Sequence, residues 1–297
     1  MSGGGTARVV AQAKINLLLR VLAREASGYH SVETVLLRLD LGDDVRVRAA
    51  RGRALDATGP ALPSDGLGPV EKNLAYRAAI AYAEATGWPD GFAIEIVKRI
   101  PVGAGLGGGS ADAGAVLRAL DRLSPSPLGQ RLVEIAASLG ADVPFLTIES
   151  PMALAWGRGE RLIPLRALDP RTVVLVVPDF TVATADAYRW LASDRGSSYA
   201  PTGAVLPMET FATWSAVIAI AENDLQAVVA RRHEVIAKLV DDLLAAGASF
   251  AMLSGSGSVV FGVFDAAADA RAIALRTGLP ALATRTSERV VRVEVDA

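Results

Sequence analysis

Three groups of residues in this 297-residue chain have the types and spacing to do chemistry. The clearest is PVGAGLGGGSADAG, Pro101 to Gly114, where five of the seven residues from Gly103 to Gly109 are glycine. Glycines let the backbone come close to a ligand and turn its N–H groups inward, and a helix opening behind them adds unpaired donors at its positive end. That chemistry is phosphate binding. The second group is Lys14 with Asn16, which share one face of a strand-like alternation, about 7 Å apart, in a segment otherwise suited to burial. Read alone, the pair also fits an edge strand whose lysine points to water. The third is Asp142 in GADVPF, a carboxylate among apolar neighbours that either caps local N–H groups or faces a site. Tyr29-His30, directly after the Ser27-Gly28 turn, could hold a planar base, although a lone histidine is more often structural.

Two phosphate motifs can be tested on the loop. Gly103, Gly105 and Gly108 satisfy G-x-G-x-x-G, but Pro101 interrupts the passage from strand to loop, glycines are in surplus, and no second strand ending in an acid follows at the right distance. The P-loop pattern fails because no Lys-Ser or Lys-Thr follows the glycines. The stretch is therefore a phosphate loop of another type, with Ser110 expected as the N-cap of the helix behind it.

Composition narrows the classes. Apolar residues make up 51%, charged residues 21%, and the net charge is −2, values usual for a compact globular chain. The densest basic group, Arg46, Arg48, Arg51 and Arg53, reads as the solvated face of a strand and turn, so no nucleic-acid partner is expected. The chain has no cysteine and only His30 and His233, which excludes disulfides, thiolate catalysis and a histidine-rich metal site. MSGGGTARVV lacks the regions of a signal peptide and the longest uncharged apolar run, near Ala216, is too short for a bilayer. A cytoplasmic protein without membrane contact is expected.

These groups must be positioned by elements that the pattern also predicts. RVVAQAKINLLLRVLA reads as a long strand, Val32 to Leu41 as strand or helix, and Val45 to Val47 as strand. A helix from Asn73 carries an alanine-rich stripe, and Phe92, Ile94 and Ile96 alternate in a strand before the loop. Ser126-Pro127 is expected to open a helix that Gly140 ends. The second half gives strands at MALAW, GRGERLIPL and TVVLVVPDF, a short helix at Ala183 to Ala192, loop over residues 194 to 210, and a long helix from about Asp224 to Ala246. Two strands joined by a Gly-Ser turn, a helix and a last strand, RVVRVEV, complete it. Strands and helices alternate without a strict βαβ rhythm, so the fold expected is α+β in two-layer domains. The boundary is expected near residue 160, giving 1–160 and 161–297.

Together AKINLLLRV with SGYHSVET, the NLAYRAA helix, the glycine loop, LGADVPF, GRGERL, END and LSGSGSVVF resemble the superfamily of small-molecule kinases that includes galactokinase, homoserine kinase, mevalonate kinase and phosphomevalonate kinase. AKINL, GYH and GADVPF make the resemblance closest to the branch acting on a methylerythritol that carries a cytidine diphosphate moiety, in the non-mevalonate isoprenoid pathway. The resemblance implies a βαβ-type N-terminal domain, a ferredoxin-like C-terminal domain, and an active site in the cleft between them. It implies ATP with Mg2+ as cofactors and a monomer or weak homodimer. Lys14 and Asp142 match the catalytic pair, with Asn16 beside the substrate hydroxyl. Tyr29 and His30 match residues holding cytosine, and Thr184 and Tyr188 a second substrate segment. Asn73 and Lys98 match positions near the ATP base. Pro101, Gly103, Gly105, Leu106, Gly107, Gly108, Gly109 and Ser110 match the triphosphate loop.

The magnesium ligand is not identified. Asp112 is a candidate, with stabilisation of the helix dipole as the competing explanation. SGSGS at Ser254 to Ser258 stands where the family often has a threonine, and serine keeps the hydroxyl. Three other readings stay open: another kinase of the superfamily acting on homoserine, mevalonate or a sugar, a catalytically silent nucleotide-binding regulator, and a dinucleotide-dependent oxidoreductase. Tyr29-His30 argues against the first, and retention of Lys14 and Asp142 against the second.

Overall fold

In the computed structural model, which describes residues 5–24, 30–196 and 206–296, two long strands open the chain, β1 (Thr6–Arg24) and β2 (His30–Ala49). There follow β3 (Arg53–Thr58), α1 (Leu74–Thr86), β4 (Phe92–Val97), α2 (Gly108–Leu123), α3 (Leu132–Leu139), α4 (Val143–Thr147), β5 (Met152–Gly157) and β6 (Arg161–Leu165). The second half supplies β7 (Thr172–Val176), α5 (Thr184–Arg195), α6 (Trp214–Ile220), β8 (Glu222–Asn223), α7 (Asp224–Ala230) and α8 (Val235–Ala245). It ends with β9 (Phe250–Leu253), β10 (Val260–Phe264), α9 (Ala270–Thr277), β11 (Ala281–Arg285) and β12 (Glu294–Asp296).

The first sheet runs β12-β1-β2-β4-β3, with β5 and then β6 added beside β2 and β8 paired to β1. Parallel β3 and β4, joined through α1, form the βαβ unit expected of the N-terminal half. The second sheet is antiparallel in the order β11-β7-β10-β9, and its chain order of strand, helices, two strands, helix, strand is the ferredoxin-like arrangement. The fold is thus α+β with two sheets. The division expected near residue 160 falls in the turn between β5 and β6, both in the first sheet.

Local chemistry explains the elements around the site. In β4 Phe92, Ile94 and Ile96 are buried and Glu95 is exposed, as period-2 alternation requires. On α1 the buried face is Ala75, Ala78, Ala79 and Tyr82; small side chains let the helix pack closely on α2. The arginines of β2 and the following turn, Arg46, Arg48, Arg51 and Arg53, are exposed as expected.

Several boundaries differ from expectation. Ser110 is not an N-cap: α2 begins at Gly108 with left-handed Gly107 in the cap position, which puts Ser110 inside the first turn. Ser126-Pro127 does not open a helix. Asp121 accepts from the Leu128 and Gly129 N–H groups at 2.6 and 3.3 Å and Ser124 from Ser126 at 3.1 Å, holding a turn up to Leu128, after which a short 3-10 helix, Gly129–Arg131, leads into α3 at Leu132. The helix expected from Asp224 to Ala246 is two helices. Between them His233 stacks on Phe180 with centroids 4.2 Å apart, and Arg232 lies over Trp190 at 4.7 Å. Of the last predicted strand only Glu294 and Val295 pair, in a β12 that extends to Asp296, because the Gln12 side chain bonds Arg289 O and Val291 N before it. Residues 194 to 210 are not all loop, since α5 reaches Arg195, and α6 and β11 lacked a sequence signal.

Candidate active site

The glycine loop is bolted between the two halves. On one side Lys14 N–H donates to Leu106 O at 2.9 Å; on the other Val259 N–H donates to Ala104 O at 3.2 Å and Ser254 Oγ to Gly105 O at 2.9 Å. Gly107, at φ +71°, leaves the space that the Lys14 side chain fills: a Cβ there would stand 2.9 Å from Lys14 Cγ. The loop, α1, β1, the start of α5 and the β9–β10 turn enclose a cleft of about 680 Å³.

Lys14 lies on an interior strand and is 4% exposed, so the edge-strand alternative is excluded. Its Nζ donates to Asn16 Oδ1 at 2.8 Å and pairs with Asp142 Oδ2 at 3.2 Å. Asn16 in turn donates to Thr34 Oγ1 at 2.8 Å, and Thr34 to Leu18 O at 2.6 Å, which fixes the amide with its oxygen toward the lysine. Asp142 stands in the N-cap position of α4 but makes no side-chain cap bond. Its carboxylate, about one-third exposed, faces Lys14 and the cleft. That resolves the choice between cap and site. A cation and a carboxylate now meet at the mouth of the phosphate loop, although 128 residues separate them in the chain.

Every expected site residue whose side chain is described lines this cleft. Asn73 caps α1 through its Oδ1, accepting from Ala75 N–H at 2.9 Å. Thr184 shares a 3.0 Å hydrogen bond with Ser256 of the Gly-Ser turn. Burial, with the charges of Asp142 and Asp224 nearby, pushes the Tyr188 hydroxyl up to about 12, so it stays neutral at physiological pH. Tyr29 lies outside the described residues, and of His30 only its place at the start of β2 is described. Sequence reasoning missed Thr34, whose position opposite Leu19 on β2 depends on strand register, and it took Ser256 only as part of the SGSGS turn.

Lys98 is buried rather than presented to a ligand. Its Nζ sits between Asp43, a short contact, and Asp112 Oδ2 at 2.7 Å. Asp43 also accepts from the Arg99 and Ile100 N–H groups, which lead into the glycine loop. Asp112 is the fifth residue of α2, so it is an internal ion-pair partner and not the first-turn dipole acid. Burial pulls the lysine pKa down, but the two carboxylates outweigh it and leave it raised. One cation shared by two buried carboxylates leaves one negative charge uncompensated. Burial pushes Asp112 up to about 7, helped by Asp43 and opposed by Lys98, and its Oδ1 has no hydrogen-bond partner. An acid with a raised folded-state pKa holds more protons folded than unfolded, here between 3.8 and about 7. Its contribution to stability therefore falls as pH rises through that window and levels off above it. Asp112→Asn should flatten that slope in urea unfolding measured across about pH 4 to 8. An unchanged slope would assign the effect elsewhere.

Among the described residues no group of three or more His, Cys, Asp and Glu could hold a metal, and no helix is long and apolar enough to cross a membrane. Residues 73–149 match the GHMP kinases N terminal domain and residues 209–277 the GHMP kinases C terminal domain. The chain is 41% identical to the 4-diphosphocytidyl-2-C-methyl-D-erythritol kinase of Anaeromyxobacter sp. (strain K) over 96% of its own length and 92% of that protein. It is 38% identical to the enzyme of the same name from Citrifermentans bemidjiense, over 94% and 98% of the two chains. A crystal structure of 4-(cytidine 5'-diphospho)-2C-methyl-D-erythritol kinase superposes with a TM-score of 0.75 at 36% identity, covering 94% of this chain and 99% of that one.

Proposed function

This chain belongs to the 4-diphosphocytidyl-2-C-methyl-D-erythritol kinase family of the GHMP kinases, and from that premise we propose how its cleft works. It is an ATP-dependent kinase that phosphorylates a hydroxyl of 4-diphosphocytidyl-2-C-methyl-D-erythritol, giving the 2-phosphate, in non-mevalonate isoprenoid precursor biosynthesis. The observation that carries the mechanism is the 3.2 Å pair of Lys14 and Asp142 beside the glycine loop.

Phosphoryl transfer asks for alignment and for stabilisation of charge on the moving group more than for covalent chemistry. The loop from Gly103 to Gly109 and the first turn of α2, with Ser110, hold the triphosphate through backbone N–H groups. Asp142 orients the acceptor hydroxyl and takes its proton as the new P–O bond to the γ-phosphorus forms and the bond from that phosphorus to ADP breaks, with ADP leaving. Lys14, kept in place by Asn16, stabilises the negative charge between the attacking oxygen and the phosphoryl group. Asn73 stands where the ATP base docks, and Lys98, held between Asp43 and Asp112, supports that side of the cleft by anchoring the segment that leads into the glycine loop. Tyr188, Thr184, Tyr29 and His30 hold the cytidine end.

Magnesium would be held chiefly by the nucleotide's phosphates, since among the described residues no three-residue acidic or histidine cluster is present and this ion commonly takes only one or two carboxylates. Asp112, with one unpartnered buried oxygen, is the nearest carboxylate of the loop helix, and the ion supplies charge neutralisation when bound. A cysteine-free chain suits a reducing compartment and thus the cytoplasm, and the enzyme is taken to work there as a monomer or weak homodimer.

ADP release should be measured against alcohol substrates with and without a cytidine diphosphate moiety. Turnover is expected only on the cytidylated methylerythritol. Activity on free methylerythritol phosphate, homoserine or mevalonate, with none on that compound, would remove the assignment. Tyr188→Ala should raise KM for the cytidylated substrate about 5- to 10-fold, the value of one aromatic stack, with kcat nearly unchanged. An unchanged KM would take Tyr188 out of the cytidine site.

A further inference from the structure

Arg38 is 1% exposed, and among the described residues no carboxylate pairs with it. Its guanidinium donates instead to three backbone carbonyls: Nη2 to Phe145 at 2.8 Å and Ile148 at 3.0 Å, and Nε to Ser150 at 3.1 Å. It also lies 5.0 Å over the Phe145 ring. Burial and the nearby Arg118 charge pull its pKa down to about 9, which keeps it protonated at neutral pH. A buried cation held by carbonyls alone is an expensive way to fill space.

Its position suggests why it is there. All three carbonyls lie at the C-terminal end of α4 or just beyond it, where helix carbonyls carry partial negative charge. Asp142 stands at the opposite end of the same five-residue helix. Arg38 and Lys14 are direct cross-strand partners in the β1–β2 ladder. Two cations from one rung therefore hold the two ends of α4, Lys14 through the Asp142 carboxylate and Arg38 through the carbonyls. On its far side α4 touches α2, where a Cβ added at Gly114 would stand 2.5 Å from Leu146 O.

We propose that Arg38 is a positioning residue for phosphoryl transfer, fixing α4 so that Asp142 meets Lys14 at reacting distance. The proposal rests on the catalytic roles given above to Lys14 and Asp142. Asp142 makes no cap bond to its own helix, so α4 has to be aimed from outside. Arg38 does so from the strand that pairs with the lysine's strand, which ties the spacing of the catalytic pair to one ladder rung.

Arg38→Lys keeps the charge but loses the fork that reaches three carbonyls. It should lower kcat about 10- to 100-fold while KM for ATP and for the cytidylated substrate stays within about twofold. The deciding measurement is the cycle with Asp142→Asn, read by single-turnover rates. In that background Arg38→Lys should lower the rate less than twofold, since the group it aims is gone. An equal loss in both backgrounds, or KM values rising along with the fall in kcat, would overturn the proposal. Should Arg38→Lys fail to fold, Gly114→Ala displaces α4 from the α2 side, and the same split and the same cycle decide. Wild-type turnover in Asp142→Asn itself would instead sink the catalytic reading, so the two failures are distinguishable.

Discussion

Asp142→Asn is expected to lower kcat by about 10²- to 10⁴-fold, the range supplied by a positioned general base, while KM for ATP changes little. Asn has nearly the same shape, and because Asp142 makes no cap bond to α4, the exchange removes charge and basicity without removing a structural hydrogen bond. Lys14 keeps its 2.8 Å bond to Asn16, so the ammonium is not stranded. The former carboxylate site is about one-third exposed and open to water, which keeps the stability loss well below that of breaking a fully buried pair, at about 1 kcal/mol. The glycine loop is held by β1 and the β9–β10 turn through bonds that do not involve Asp142, which is why nucleotide affinity should survive. Steady-state kinetics with both substrates varied, beside urea unfolding, checks all three expectations. Turnover within about threefold of wild type would exclude proton transfer to Asp142.

How much of this site could be read before the structure depends on whether the information is local. The glycine loop is a local signal, because runs of glycine have few other uses between a strand and a helix. The face shared by Lys14 and Asn16 followed from strand period alone. What failed were features decided by tertiary contacts. Ser110 has the right type for an N-cap, but the left-handed turn at Gly107 had already started the helix. The break between α7 and α8 falls at Arg232 and His233, which take apolar positions of the helical period, and these two pack on the rings of Trp190 and Phe180, contacts that no local pattern shows. Lys98 and Asp112 are each singled out in the sequence, but nothing local joins them to each other or to Asp43, and the three form one buried cluster only when β2, the end of β4 and α2 converge. Arg38 is the extreme case. Surrounded by leucines in VLLRLD, it looks like the polar face of a strand, yet it is fully buried by a helix more than a hundred residues on.

Gly105→Ala should be the most damaging single-methyl change in the loop. Gly105 is at φ +79°, and a Cβ there would stand 2.0 Å from Ser254 O and 3.1 Å from Gly257 O, both backbone atoms of the β9–β10 turn. The left-handed conformation alone costs about 1–2 kcal/mol for a residue with a side chain. Relieving the overlap separates the loop from the β9–β10 turn, which breaks the Ser254 Oγ to Gly105 O bond and strains Val259 N–H to Ala104 O. Two such bonds at about 0.5–1.5 kcal/mol each bring the total to about 2–5 kcal/mol. The loop is the seam between the two sheets, so this loss is felt as nucleotide affinity as well as stability. KM for ATP should rise at least about 100-fold, the equivalent of roughly 2.7 kcal/mol of lost positioning, in whatever fraction remains folded. Gly66→Ala provides the control. Gly66 is also left-handed, at φ +76°, but a Cβ there meets nothing within 4 Å. It should lose the conformational term only and keep its ATP affinity. Equal effects at the two positions, by urea unfolding and ATP titration, would show that backbone conformation and not contact with Ser254 makes Gly105 necessary.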